Sequence, residues 1–505
     1  VKYNHRAVLA ASVVAVLTGS LVTTATGTAA AAGSGVQSDF NGDGVRDLAV
    51  GAPGARAAGI HGAGAVIAYY GGSDGVSPAR HTLIDQNVVG GPGSAESYDL
   101  FGAATATGDF DDDGFADLAV SSPREDVGGD ANGGTVQILW GSAQGLAGGA
   151  TVADPEPTRH DHFGAALAAG DFDGDGKDDL AVGSTSATLH VFKKGISKSG
   201  KPGAVTARGL PLRSATDAGI FNLTAGDVNK DGRADLVVNG LNRTASATDG
   251  KYHNVNYYLP GSADGPTAIG SRQMPGGVSG AIGDIDGDGF GDIVTGVYWG
   301  RATPDGAIGG KVLVNYGSAN GPSTRTQTIT QESGSIRGDS EDWDKFGEAV
   351  ALGDIDGDGR MDLSVGTPRE NFRTAEGMRY NKGTLTVLYG TSKGVGTGER
   401  TQYFHQASVG VPGSLSSGHQ WGAALLMNDI NGDGKSDVAV GSQWDDNGDG
   451  SVTVLPSDGR QASATVPGVV RLRGKEAGMD PVGYPQFGAA LHNTRKVSEI
   501  ASDAN

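Results

Sequence analysis

The sequence predicts an all-β fold: a seven-bladed β-propeller of four-stranded antiparallel blades, its ring closed by the C-terminal strand pairing with the N-terminal blade. Three observations predict it. A nine-residue acidic pattern, Asp-x-(Asp/Asn)-x-Asp-Gly-x-x-Asp, occurs seven times, each copy starting 56 to 75 residues after the last. Every copy runs straight into a short apolar segment of strand character. The two ends of the chain carry complementary pieces of one repeat.

The acidic loops come first because their chemistry is the most specific. Position 1 is Asp39, Asp109, Asp171, Asp227, Asp284, Asp354 or Asp429, and position 3 is Asn41, Asp111, Asp173, Asn229, Asp286, Asp356 or Asn431. Position 5 is Asp43, Asp113, Asp175, Asp231, Asp288, Asp358 or Asp433, and position 9 is Asp47, Asp117, Asp179, Asp235, Asp292, Asp362 or Asp437. Oxygen-bearing side chains at alternate positions of a tight turn wrap a hard cation, so each loop is expected to hold one Ca2+, up to seven ions in all. Glycine at position 6, from Gly44 to Gly434, lets the backbone turn without a Cβ clash. Position 7 would offer its backbone carbonyl, which leaves its side chain free to vary: Val45, Phe115, Lys177, Arg233, Phe290, Arg360 and Lys435. A lone Asp-Gly stretch is most simply a solvated turn. Seven copies in register concentrate a charge that cations must offset. The stretch from Asp445 to Thr453 imitates the loop but carries Thr453 in place of the closing aspartate, and it reads as a hairpin turn.

The strands follow from the residues around each loop. Asp117-Leu-Ala-Val, Asp179-Leu-Ala-Val and their counterparts make one strand, and β-branched and aromatic runs such as those after Gly64, Gly134, Gly310 and Gly383 make the next. A Gly-Ser turn leads to a further strand, and a Phe-Gly or Trp-Gly strand precedes most loops, at Phe101, Phe163, Phe346 and Trp421. A unit of this length holds four short strands and cannot bury both faces alone, so radial packing is required. The first loop has no Phe-Gly strand before it, whereas Phe487 to Leu491 forms such a strand with no loop after it. The C-terminal strand is therefore expected to complete the first blade.

Outside the repeats the sequence sets bounds. Residues 1–32 carry Lys2 and Arg6, an apolar run from Ala7 to Leu17 and small residues at Ala29 to Ala32, the layout of a secretory signal peptide; an uncleaved anchor is the competing reading. Residues 33–492 form the propeller, and residues 493–505 a frayed polar tail. The chain has no cysteine, so disulfides and thiolate-bound metals are excluded, and bound ions take over the cross-linking. Formal charge is −20; without Lys2 and Arg6 it is −22, and seven divalent ions would bring that to −8. Nucleic acid is excluded as a partner by this sign of charge, and no membrane span is expected after signal cleavage. The product is expected to be a secreted monomer.

The Phe-Gly strand, the acidic loop and turns such as Gly51-Ala52-Pro53 and Gly366-Thr367-Pro368 together resemble the FG-GAP repeats of the integrin α-subunit N-terminal propeller, and of bacterial secreted proteins built from such repeats. The resemblance covers nearly all of the chain after residue 32. It implies calcium at the positions named above and a role in extracellular recognition or adhesion. The third to fifth units depart from the pattern: Ser184-Thr185 stands near the Gly-Ala-Pro site, Asn239 replaces a glycine, and no Phe-Gly pair precedes Asp227 or Asp284 at the usual offset.

In such a blade the acidic loops and Gly-Ser turns share one face of the ring. The opposite face carries the variable connections, with Arg124-Glu125-Asp126, Arg369-Glu370-Asn371, Trp299 and Trp444. Trp299 and Trp444 are the candidate contacts for an extracellular polysaccharide or protein, since exposed tryptophans stack on sugars or anchor partners. Trp343 and Trp421 are expected to pack between blades. The competing function is a calcium-dependent, polysaccharide-active enzyme, lyase or hydrolase. Its sole local cluster would be His160-Asp161-His162, and neither a Gly-x-Ser-x-Gly nor a His-Glu-x-x-His motif accompanies it.

Overall fold

The computed structural model describes residues 38–89, 94–215, 218–243, 254–301, 305–374 and 377–491. The expected signal peptide and C-terminal tail lie outside them. Seven four-stranded antiparallel sheets form a propeller, with a four-residue helix and two 3-10 turns as the only helical pieces among the described residues. Blade 2 shows the pattern: Thr105–Gly108, Asp117–Ser122, Thr135–Trp140 and Ala147–Val152 pair in chain order. Blades 3 to 7 follow the same order, starting at Ala166–Gly170, Ile220–Gly226, Ser279–Gly283, Ala349–Gly353 and Ala424–Asn428. Blade 1 takes Leu48–Ala52, Ala65–Tyr69 and His81–Ile84 from the N-terminal side and Ala490–Leu491 from the C-terminal side. Val50 pairs with Leu491 and Gly51 with Ala490, so the ring closes as the ends of the sequence require.

Strand composition follows position in the blade. The second strands, such as Asp117–Ser122, are buried along their whole length because neighbouring blades cover both faces, so apolar residues run continuously instead of alternating. The outer strand Pro202–Gly209 alternates between exposed and half-buried, as an edge with one wet face does. Apolar side chains gather in seven principal clusters, each bridging two adjacent blades.

Phe101, Phe163, Phe346, Trp421 and Phe487 are fully buried at five of these junctions. Each Phe-Gly backbone lies against a glycine of the preceding blade. At Gly64, φ is +87° and a Cβ would sit 2.2 Å from the Phe101 carbonyl oxygen, so only glycine fits. Trp421 packs between blades 6 and 7 as its sequence suggests, and its indole N–H donates to Thr453 Oγ1 at 3.3 Å. Blades 4 and 5 form complete sheets without a Phe-Gly pair. Asp445 to Gly450 lies in the connection between the paired strands Asp437–Ser442 and Ser451–Leu455, and Thr453 is already in the second strand, opposite Val440.

Candidate metal centres

Six acidic loops join the first and second strands of their blades, and that of blade 1 leads into Leu48–Ala52, whose first-strand partner comes from the C-terminal side; the loops lie on one rim of the ring. All seven share one hydrogen-bond scheme. The position-1 carboxylate accepts the position-6 N–H, as in Gly44 N–H to Asp39 Oδ2 at 2.9 Å. The position-9 carboxylate accepts the position-2 N–H on one oxygen. On its other oxygen it accepts an N–H from the neighbouring turn, such as Gly71 N–H at 2.8 Å. This ties each loop to the end of the third strand or the turn that follows it on the same rim.

Position 9 is buried in every loop and position 5 is exposed in every loop. Where position 3 is aspartate, the carboxylates of positions 1, 3 and 9 bring ligand oxygens within 4.8 Å of one another: Asp109, Asp111 and Asp117; Asp171, Asp173 and Asp179; Asp284, Asp286 and Asp292; Asp354, Asp356 and Asp362. In Asn41, Asn229 and Asn431 an amide takes that place. Position 5 stands at the lip and accepts the position-7 N–H, as in Val45 N–H to Asp43 Oδ1 at 2.9 Å.

Electrostatics fit a cation. Burial, opposed by backbone N–H groups, pushes Asp47, Asp292, Asp362 and Asp437 up to about 7 and Asp235 up to about 6. Burial likewise pushes Asp117 and Asp179 up to about 8. Such carboxyls ionise at neutral pH only with positive charge beside them. Buried oxygens of Asp111 and Asp173 lack hydrogen-bond partners, which suits oxygens reserved for an ion. The residues therefore fit Ca2+, with positions 1, 3 and 9 as the side-chain cradle.

Two features were missed in sequence reasoning. Each aspartate at position 3 has a basic partner: Lys198 Nζ lies 2.5 Å from Asp111, Lys193 Nζ 3.3 Å from Asp173, Arg400 Nη2 2.7 Å from Asp356, and Arg325 pairs with Asp286. The extra charge that aspartate brings over asparagine is thus offset inside the fold. Second, the position-7 side chain is not free: it crosses position 4 of the preceding loop at every junction. Phe115 covers Gly42, Arg233 covers Gly174, Arg360 covers Gly287, Lys435 covers Gly357 and Val45 covers Gly432, closing the circle. Where position 4 carries a side chain, the pair is complementary, with Lys177 Nζ 2.8 Å from Asp112 and Lys230 over the Phe290 ring at 5.8 Å. The signal was readable in the alternation of position 4 with its neighbour's position 7.

On the opposite rim the expectation for Trp343 fails. Trp299 and Trp444 are half-buried, against Tyr298 and Tyr484 respectively. Trp343, expected between blades, is 76% exposed. Glu125 and Glu370 are buried and bonded to Gln86 and Gln331, so they brace the connections instead of facing solvent. His160, Asp161 and His162 diverge: His160 is buried, and the Asp161 backbone exchanges hydrogen bonds with Thr185.

A ring of seven blades with one acidic loop on each defines the class: a β-propeller whose acidic loops are suited to cations. The chain carries FG-GAP repeats in five of its seven blades and is similar there to integrin α subunits. The family model described as FG-GAP repeat matches residues 31–69, 101–139, 163–206, 346–388 and 421–455, which are blades 1, 2, 3, 6 and 7. Mouse phosphatidylinositol-glycan-specific phospholipase D is 36% identical over 160 residues, 32% of this chain and 19% of that protein. Integrin alpha pat-2 of Caenorhabditis briggsae is 30% identical over 242 residues, 41% and 18% of the two chains. Chicken integrin alpha-6 is 34% identical over 163 residues, 31% and 13%. The matched region is thus under a fifth of each of these relatives. Among solved structures the Dos1 propeller aligns over 71% of both chains at 11% identity with a TM-score of 0.38, so the blade count rests on the sheets described above.

Proposed function

We propose that this protein is a secreted, calcium-loaded recognition module whose ligand face is the rim opposite the acidic loops, and that its ligand is an extracellular polysaccharide. One observation carries the reading. Tyr98, Trp343 and Tyr484, each three residues before a Phe-Gly strand, are 60%, 76% and 62% exposed and have φ of 71°, 82° and 61°. The equivalent residue in blade 7 is Gly418, with φ of 87°. Left-handed backbone is costly for bulky residues, and glycine would occupy the position at no cost. An aromatic kept there, and kept in water, is explained by what it touches.

Exposed aromatic faces spread over three blade junctions, with acidic neighbours such as Glu341 and Asp342 at Trp343, suit stacking on sugar rings better than the contiguous apolar centre of a protein interface. Calcium is structural in this reading, and secretion rests on the N-terminal segment. A second reading is supported by the similarity to the mouse phospholipase D: a calcium-dependent enzyme acting on a glycan-bearing substrate.

The test uses Tyr98→Gly, Trp343→Gly and Tyr484→Gly. Each should hold or raise the melting temperature, because the strain is relieved, while retention on a panel of polysaccharides falls. Unchanged retention in the triple variant would overturn the site. Release of new reducing ends or of lipid products would replace the binding module by the enzyme.

A further inference from the structure

Resting on the recognition reading above, we propose that the ligand face takes one extended, uncharged glycan chain laid across four consecutive blade junctions, with Tyr380 as a further stacking surface beside Tyr98, Trp343 and Tyr484. Among the described residues these four are the exposed aromatic side chains, Tyr380 at 59%. Tyr380 lies on the connection between the second and third strands of blade 6, and its carbonyl accepts the Gly418 N–H at 3.1 Å, as the His61 carbonyl accepts the Tyr98 N–H at 3.0 Å. It therefore stands across the junction of blades 6 and 7 from Gly418, the position where the neighbouring junctions carry their aromatic. Trp343 marks junction 5–6, Tyr380 junction 6–7, Tyr484 junction 7–1 and Tyr98 junction 1–2, an unbroken arc. At junction 2–3 the equivalent residue, His160, is buried, and the described residues of the other two junctions include no exposed aromatic.

The rings are seated as open platforms. A Cβ at Gly62 would lie 2.8 Å from Tyr98 Cδ1, and one at Gly448 would lie 2.5 Å from Tyr484 Cδ1. Each tyrosine thus rests its ring on a bare glycine of the preceding blade and keeps the rest in water. Half-buried rings extend two of the platforms. Trp444 stands beside Tyr484 at 6.3 Å between centroids, and Tyr298 pairs with Trp299 at 5.9 Å, with Lys345 of the Trp343 turn over the Tyr298 ring at 4.5 Å.

Open platforms in series suit the inner units of a chain. A site for a chain end encloses its sugar and buries its own aromatic, whereas these rings leave most of their surface uncovered. One stacked face binds weakly. Faces repeated at successive junctions make every later contact intramolecular for a chain long enough to reach them, which multiplies the affinity. Glu96, Glu341 and Asp342 are exposed within two residues of Tyr98 or Trp343, in a protein of net charge −20, so a polyanion is repelled and an uncharged chain is not.

The experiment uses full-length protein in saturating Ca2+ and three soluble uncharged polymers, starch, xyloglucan and galactomannan, each graded from disaccharide to long chain, with hyaluronan as the charged control. Affinity for at least one of them should rise about a hundredfold or more from disaccharide to long chain. Tyr380→Ala should weaken long-chain binding about three- to tenfold, the loss of one stacked face, and leave the melting temperature unchanged. Equal affinity for disaccharide and long chain, binding to none of the three, or long-chain binding unaltered by Tyr380→Ala would overturn the arc. The recognition reading would still stand, as separate sugar sites, where the triple variant Tyr98→Gly, Trp343→Gly, Tyr484→Gly lost its retention on the panel; retention unchanged in that variant overturns the reading itself. Tighter binding of hyaluronan than of all three polymers would overturn the choice of an uncharged chain.

Discussion

The junction between blades 5 and 6 and the junction between blades 4 and 5 solve one problem with different chemistry. At the first, Phe346 anchors a cluster of thirteen buried apolar residues. At the second the cluster shrinks to five, and amides take over. Asn239 Nδ2 donates to Asn256 Oδ1 and Asn254 Oδ1, both at 2.7 Å; Asn256 Nδ2 reaches Thr295 Oγ1 at 3.4 Å across the blades, and Asn222 Nδ2 donates to the Val278 carbonyl at 2.9 Å. An aromatic anchor gains from area removed from water, about 25 cal/mol per Å². An amide ladder mainly avoids the cost of unpaired polar groups, with a net gain near 1 kcal/mol per bond. The acidic loops share one hydrogen-bond scheme in both regions, with Asn229 in blade 4 where blades 5 and 6 carry Asp286 and Asp356. Blade 4–5 packing is therefore the part of the ring that leans most on its ions.

Removing the ions tests this most severely. At calcium a hundredfold above its dissociation constant, each occupied loop contributes about 2.7 kcal/mol, so chelation should lower the melting temperature by many degrees. Hydrogen exchange should then open Asp235–Leu241 and Asp292–Val297 before Asp362–Thr367. Simultaneous loss of protection in all blades would abolish the distinction. Next in size are single substitutions in saturating calcium. Phe346→Ala should cost about 3–5 kcal/mol in urea unfolding, by cavity formation. Asn239→Ala should cost about 1–3 kcal/mol, by leaving its partners unpaired. Equal costs would mean the ladder anchors as strongly as the ring does.

The same contrast explains what was legible in the sequence. Seven loops in register announced blade number, strand order and rim, because a cation cradle fixes residue types at fixed spacing. Phe487 to Leu491 announced the closure, because an unpaired strand at one end needs a vacancy at the other. Blades 4 and 5 gave no comparable signal. Asn239 read only as the loss of a glycine, and its hydrogen bonds to Asn254 and Asn256 make the three a junction. Trp343 was misassigned for a related reason: it differs from Trp421 in backbone conformation, with φ of 82°, and not in residue type. Glu370 likewise read as a surface acid, and the fold buries it together with Asp344.

That acid pair supplies the smallest predicted effect, and it belongs to the 5–6 junction. Burial, then Asp344, pushes Glu370 up to about 8, and burial pushes Asp344 up to about 7. Both values lie above those of an unfolded chain, near 4, so the native state holds the protons more tightly. The stabilisation is complete below about pH 4 and is lost as pH rises through the folded values, which makes stability fall between pH 5 and 8. Measured in saturating calcium, where the loop carboxylates stay ionised, the melting temperature should decline over that range. Glu370→Gln keeps the hydrogen-bonding shape of the neutral acid next to Gln331 and should flatten the decline, whereas substitutions in the amide ladder, which contains no titrating group, should leave it intact. A slope unchanged by Glu370→Gln would show that the proton is held elsewhere and that the two junctions differ only in packing.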